Sequence, residues 1–240
     1  MRFKLFLLLF PLFLLAEEIE VRLKTTADLK PAYVTRIHTE PNQFDWRYFK
    51  ELRTVLETDF NLGGFMSVLP IQEEWEETFR WPNVQRTFDL SVWRRGKIPF
   101  VVALNAAGDS LQVTVFNVEK ETSKRYPKIP LTGRLEEDRM QLHKVADAIH
   151  KDLYGIEGIA SLRLIYSHRI KDENARWISE IWMSDYDGAN ALQTTFENDY
   201  CVSPSFYPHT AGQPNPPFFF ISYKQGQSKI YRGSRTKCEI

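Results

Sequence analysis

The chain has 240 residues, with 31 basic and 31 acidic side chains and no net charge at pH 7. That balance excludes a strongly electropositive nucleic-acid or anionic-lipid binder, and 43% hydrophobic with 26% charged residues excludes a disordered, collagen-like or polytopic membrane chain. Two cysteines, Cys201 and Cys238, are too few for a disulfide scaffold and lack zinc-site spacing, whereas 17 Phe, 10 Tyr and 6 Trp point to β-rich packing.

Arg2 and Lys4 precede the apolar run Leu5 to Leu15, and Ala16 stands before Glu17 and Glu18. A positive start, a short apolar stretch and a small residue before acidic sequence predict a secretory signal, residues 1–16, cleaved near Ala16. The run is shorter than the roughly 20 apolar residues of a membrane span. Glu18 to Lys24 alternates, with Ile19, Val21 and Leu23 opposite Glu20, Arg22 and Lys24, which predicts a half-buried strand. From Phe44 to Phe60 the period becomes helical: Trp46, Phe49, Leu52, Leu56 and Phe60 form one stripe, Asn42 or Asp45 can cap it, and Gly63-Gly64 supplies a left-handed exit. Phe65 to Leu69 reads as a short strand ending at Pro70.

Glu73-Glu74-Trp75-Glu76-Glu77 reads as a solvated helical turn with Trp75 facing inward. Pro99 to Asn105 is an apolar run typical of a central strand, Ala107-Gly108-Asp109 turns the chain, and Leu111 to Val118 returns. A second helix follows, capped by Thr132, with Glu136, Glu137 and Asp138 at its positive end and Gly155 at its stop. Leu135, Leu142, Ala146, Ile149 and Leu153 line one face of it. Residues 17–158 therefore read as one α+β domain, a mixed sheet with two helices. After Ile159 only short strands are predicted: Leu162 to Ser167, Ile178 to Ser184, Phe218 to Tyr223 and Ser228 to Arg232. Asp185-Tyr186-Asp187-Gly188 marks a hairpin, and the five prolines between Ser203 and Pro217 mark an irregular surface loop.

Motifs of catalysis are missing from the sequence: it has no Gly-x-Ser-x-Gly elbow, P-loop, Gly-x-Gly-x-x-Gly or His-Glu-x-x-His. His143 and His150 stand seven apart on the second helix, without a third ligand nearby in sequence, and read as surface residues. Asp185 and Asp187 lack the remaining ligands of a calcium loop. The residues give no catalytic, metal or cofactor site, and Cys201 and Cys238 are as readily unpaired as paired. The expected role is binding or scaffolding, not catalysis.

Ile181 to Asn190, with its Asp-Tyr-Asp-Gly turn, resembles the first propeller blade of the TolB family, the periplasmic component of the Tol–Pal envelope system. Ser203-Pro204-Ser205-Phe206-Tyr207-Pro208 and the strand pair Phe219 to Gly226 and Lys229 to Tyr231 continue that likeness. Upstream, Leu153 to Gly158, Arg163 to Tyr166, Leu52 to Phe65 and Glu20-Val21-Arg22 are similar to the same family. The resemblance implies an α+β N-terminal domain followed by the first, incomplete part of an all-β six-bladed propeller, about one and a half blades in residues 159–240. The ending Ser234 to Ile240 does not resemble a further strand, so a truncation within the propeller is expected.

The family likeness also implies a function: a periplasmic adaptor linking a TolA-like inner-membrane protein to the outer-membrane peptidoglycan-associated lipoprotein, for envelope integrity and outer-membrane invagination in cell division. The stretch matching the family's TolA-docking segment is Glu18, Ile19, Glu20, Val21, Arg22 and Leu23. Lipoprotein binding is expected to be weak, because the family's contacts for it lie mainly on the propeller. Neither nucleic acid nor a stable membrane insertion after signal cleavage is expected. Competing readings are a non-functional relic or the accessory propeller of a periplasmic hydrolase.

Overall fold

The computed structural model describes residues 29–39, 44–77, 90–208, 216–234 and 237–239. The signal segment 1–16, the strand expected at Glu18 to Lys24, the Asn42 cap and the centre of the proline-rich loop lie outside these residues.

The first sheet is built on β1 (Lys30–Thr39), which runs parallel to β2 (Met66–Val68) on one side and β3 (Phe100–Ala107) on the other. β4 (Ser110–Asn117) returns antiparallel to β3 through the Gly108 turn, and β5 (Thr122–Arg125) and β6 (Ile129–Pro130) both pair with β4. Strand alternation sends Phe100, Val102, Leu104 and Ala106 of β3 to one face and Val101 to the other. The first face packs on the two long helices, α1 (Trp46–Leu62) and α4 (Leu135–Tyr154). The second is covered by α2 (Glu73–Glu77) and α3 (Leu90–Arg95), whose Trp75 and Trp93 pack on Tyr33. The sheet is thus covered on both faces; the two long helices and the turn that points Trp75 inward were expected, and the Leu90–Arg95 helix was not.

α1 forms as expected. Asp45 accepts from the Arg47 N–H at 3.0 Å, and Phe49, Leu52, Leu56 and Phe60 are buried. Trp46 departs from the expected stripe: it is 66% exposed, because it opens the first turn before the helix meets the sheet. Gly63 keeps a right-handed φ of −64°, and Gly64, at φ +77°, makes the left-handed exit.

The N-cap of α4 is Arg134, not Thr132, and its side chain makes no cap hydrogen bond. Thr132 instead donates its N–H to the Asp138 carboxylate at 3.0 Å and accepts from the Arg134 N–H at 3.1 Å. Asp138 is buried and also accepts from the Tyr48 hydroxyl of α1, so it ties the two helices together. Gly155, at φ +73°, closes α4.

The glutamate run is not wholly solvated. Glu76 is 1% exposed and accepts from the Tyr33 hydroxyl at 2.7 Å and the Arg36 N–H at 3.1 Å. The reason lies in β1, whose register against β3 shifts between Val34 and Ile37. That bulge turns backbone groups out of the ladder. Glu76 takes the freed N–H, while the Arg53 guanidinium of α1 donates to the Val34 carbonyl at 2.8 Å and the Thr35 carbonyl at 3.1 Å.

Beyond α4 the chain forms two antiparallel sheets: β7 (Arg163–Lys171), β8 (Trp177–Asp185) and β9 (Leu192–Gln193), then β10 (Cys201–Phe206), β11 (Phe218–Ser222), β12 (Lys229–Ser234) and β13 (Lys237–Glu239). Ile181 and Met183 of one sheet pack with Cys201, Phe218, Phe220 and Tyr231 of the other. Within the second of these sheets Gly233 leaves room for the ring of its cross-strand partner Phe218, since a Cβ there would stand 2.5 Å from it. The Ser203 and Pro204 expected in a loop lie inside β10, at a register shift between Val202 and Ser205 where the missing proline N–H breaks no ladder bond. The outward face of this sheet leaves Phe219 and Ile230 exposed. Among the described residues, no helix is long and apolar enough to cross a membrane.

Candidate functional site

The six residues of the expected docking strand, Glu18, Ile19, Glu20, Val21, Arg22 and Leu23, lie outside the described residues, so the structure neither places nor groups them. Within the described residues, functional groups converge where α1, α4 and the turn after β8 meet.

The turn is the predicted hairpin. The Gly188 N–H donates to the Asp185 carbonyl at 3.0 Å, and φ +84° at Gly188 is the backbone angle that Asp-Gly sequences provide. This fold of the turn aims two carboxylates at α4. Arg139, nearly buried in that helix, pairs with Asp187 through Nη2, and its Nε lies 3.6 Å from Asp185. Asp185 also accepts from the Asn190 side-chain amide at 2.7 Å. Burial alone would raise the Asp187 carboxyl, but hydrogen bonds from Arg139 and the Ala189 N–H outweigh it and hold it below the ordinary value.

One turn further along α4, His143 is fully buried and its Nδ1 lies 2.8 Å from Asp59 on α1. Burial lifts the Asp59 carboxyl above its ordinary value, against the lowering effect of His143. His143 Nε2 is buried without a hydrogen-bond partner. Neither histidine of α4 is therefore a surface residue. His150 is also buried, and its Nδ1 meets the Ile156 carbonyl at 3.0 Å. Sequence spacing paired His143 with His150 and Asp187 with Asp185, but the fold joins His143 and Asp187 to Asp59 instead. The buried Asp59, 84 positions from His143, gave no signal along the chain beyond being a carboxylate on the α1 face that turns inward.

A cleft of about 420 Å³ opens on the Arg139–Asp187 pair, lined also by Trp46, Lys50, Glu51 and Thr58. A larger groove of about 740 Å³ runs between β1 and α1, past Ile37, Phe44, Trp46, Phe49, Arg53 and Ile71. Trp46 lines both, so its exposed ring stands between the two clefts. Cys201 lies fully buried in the stacked sheets, its thiol pushed up to about 12 by burial and the nearby Glu180 charge.

Comparison with known proteins agrees with this architecture. No family model matches the chain. It is 33% identical over 217 residues to the TolB homolog of Protochlamydia amoebophila and 27% identical over 225 residues to that of Chlamydia felis, covering 90% and 92% of this chain. The crystal structure of TolB from Acinetobacter baumannii superposes with a TM-score of 0.61 at 20% identity, covering 86% of this chain and 47% of that one. The chain spans about half the length of the curated relatives it matches, 46% in both cases. Over the stretch it shares with these relatives, the chain belongs to the TolB family.

Proposed function

We propose that this chain is a non-enzymatic periplasmic adaptor of the Tol–Pal type, linking a TolA-like inner-membrane protein to the peptidoglycan-associated lipoprotein. In this reading residues 1–16 direct export, 17–158 form the docking domain, and 159–240 begin a propeller. The observation that carries it is the arrangement of an α+β layer locked by Arg139 onto stacked antiparallel sheets, the fold shared with TolB over most of the chain.

The reading as an accessory propeller of a hydrolase gains no support among the described residues. Asp59 and His143 form a dyad, but His143 Nε2 has no hydrogen-bond partner, so no nucleophile completes a triad there. Cys201 is buried with a raised thiol pKa and does not supply one. What remains exposed suits protein contact: Trp46, the two clefts beside it, and the Phe219 and Ile230 face.

The docking role falls to Glu18, Ile19, Glu20, Val21, Arg22 and Leu23, whose alternation lets a partner pair with the backbone while reading one apolar and one charged face. Deleting residues 17–23 and measuring both pull-down of a TolA-like periplasmic domain and thermal stability tests this. Lost binding with unchanged melting supports docking; unchanged binding rules the segment out, and collapse of the fold makes it a structural strand.

A further inference from the structure

We propose that Asp59, His143 and Asp187 form a binding site for a divalent first-row transition-metal ion, with zinc as the working probe. Each residue offers one ligand atom, and the three atoms lie within 4.8 Å of one another. They come from three elements, α1, α4 and the turn after β8, so an ion there would pin the helical layer to the β7–β8–β9 sheet. Asp59 is 4% exposed, His143 is 0% exposed, and the Asp187 side chain is 6% exposed.

Three features favour an ion over a purely internal ion pair. The first is charge. Asp59, Asp185 and Asp187 crowd into one buried region, and Arg139 is the permanent cation bonded to them among the described residues. With a neutral imidazole, two negative charges are left over, the complement of a divalent ion. The second is the imidazole. His143 Nε2 is buried with no hydrogen-bond partner while Nδ1 faces a carboxylate. For Asp59 and His143 to share an ion, the ion takes the place of the Nδ1–Asp59 hydrogen bond, with Nδ1 as the ligand atom and the imidazole proton carried on Nε2.

The third feature is reach. Bonds of about 2.1 Å in a tetrahedron place ligand atoms roughly 3.4 Å apart, so the Asp59–His143 pair, now at 2.8 Å, would open by about 0.6 Å and Asp187, within 4.8 Å of both, would close by up to about 1.4 Å. The cleft past Glu51 and Thr58 reaches Asp187 and gives an ion and a fourth, water ligand a way in. One nitrogen and two carboxylate oxygens suit zinc, cobalt or manganese. Calcium, which takes six to eight oxygens, is poorly served.

Calorimetric titration of the EDTA-stripped full chain with zinc chloride is the test. The expected result is one saturable site of micromolar or tighter affinity, with a raised melting temperature. Cobalt(II) should give the strong visible absorption of a tetrahedral centre. D187N, in the turn after β8, should weaken zinc binding at least about tenfold, while H168A, at an exposed histidine, should leave it unchanged. Wild-type protein that shows neither saturable zinc binding nor the cobalt spectrum overturns the proposal without recourse to any variant. So does a folded D187N that binds zinc as tightly as the wild type, or an equal loss in H168A.

Discussion

Replacing Glu76 with alanine tests the repair of the β1 bulge. The carboxylate accepts from a fully buried Tyr33 hydroxyl and from the Arg36 N–H, and its Oε2 lies 3.5 Å from His38. The Arg36 N–H loses its partner at about 1–3 kcal/mol, the Tyr33 hydroxyl keeps only a long contact to the Gln72 carbonyl at 3.4 Å, and removing a buried charge recovers part of the loss, so E76A should lose about 3 kcal/mol. For a chain of this size that is a fall in Tm of about 6–12 °C. Acid should close the gap between wild type and variant. Burial would raise the Glu76 carboxyl, but hydrogen bonds from His38, Tyr33 and the Arg36 N–H hold it below its ordinary value of 4.5. A carboxylate lowered on folding adds stability that is complete above the unfolded value and is lost as pH falls through the folded one. Urea denaturation of both proteins at about pH 7 and about pH 4 reads this directly. A variant within about 1 °C of wild type, or a gap that widens in acid, would refute the assignment of Glu76 as the partner of the bulge.

Gly158→Ala should destabilise by about 2–4 kcal/mol, since the new Cβ would stand 2.5 Å from Asp147 Cα and displace the carboxylate that accepts from the Ala160 and Ser161 N–H groups; thermal melting checks it, and an unchanged Tm counts against it. Gly233→Ala should cost about 1–3 kcal/mol and expose the sheets to protease before the helical layer, because its methyl meets the buried Phe218 ring; mass spectrometry of early fragments reads the order. Leu142→Ala, at the fully buried contact of α4 with the sheet, should lose about 2–5 kcal/mol as a lower urea midpoint with an unchanged slope.

The two long helices were legible because their apolar residues recur with helical spacing and a glycine follows each. The β8 turn was legible because Asp-Gly sets backbone angles locally. β1 was not: its four consecutive buried residues, Ala32 to Thr35, obey no alternation, since layers cover both faces of the sheet and a bulge shifts the phase. Glu76 looked like its neighbours because what buries it is Tyr33 and Arg36, 43 and 40 positions away. The Asp59–His143–Asp187 cluster was hidden for the same reason: its members stand on three elements, and only packing makes them neighbours.

Arg139 lies 16 residues before Gly155, so α4 is held at one point by the Asp187 pair and at another by the covalent path through Gly158 to β7. At 1.5 Å per residue those two points stand about 24 Å apart. A bar fixed at both ends turns little: about 1 Å of play at the arginine corresponds to only about 2° of rotation over that length. Tension applied to the helical layer would therefore reach the strand sheets as a push or pull along α4 and be spent little on swivelling. Freeing the arginine end leaves a single pivot, and the same tension would then reorient one body against the other before any of it was passed on.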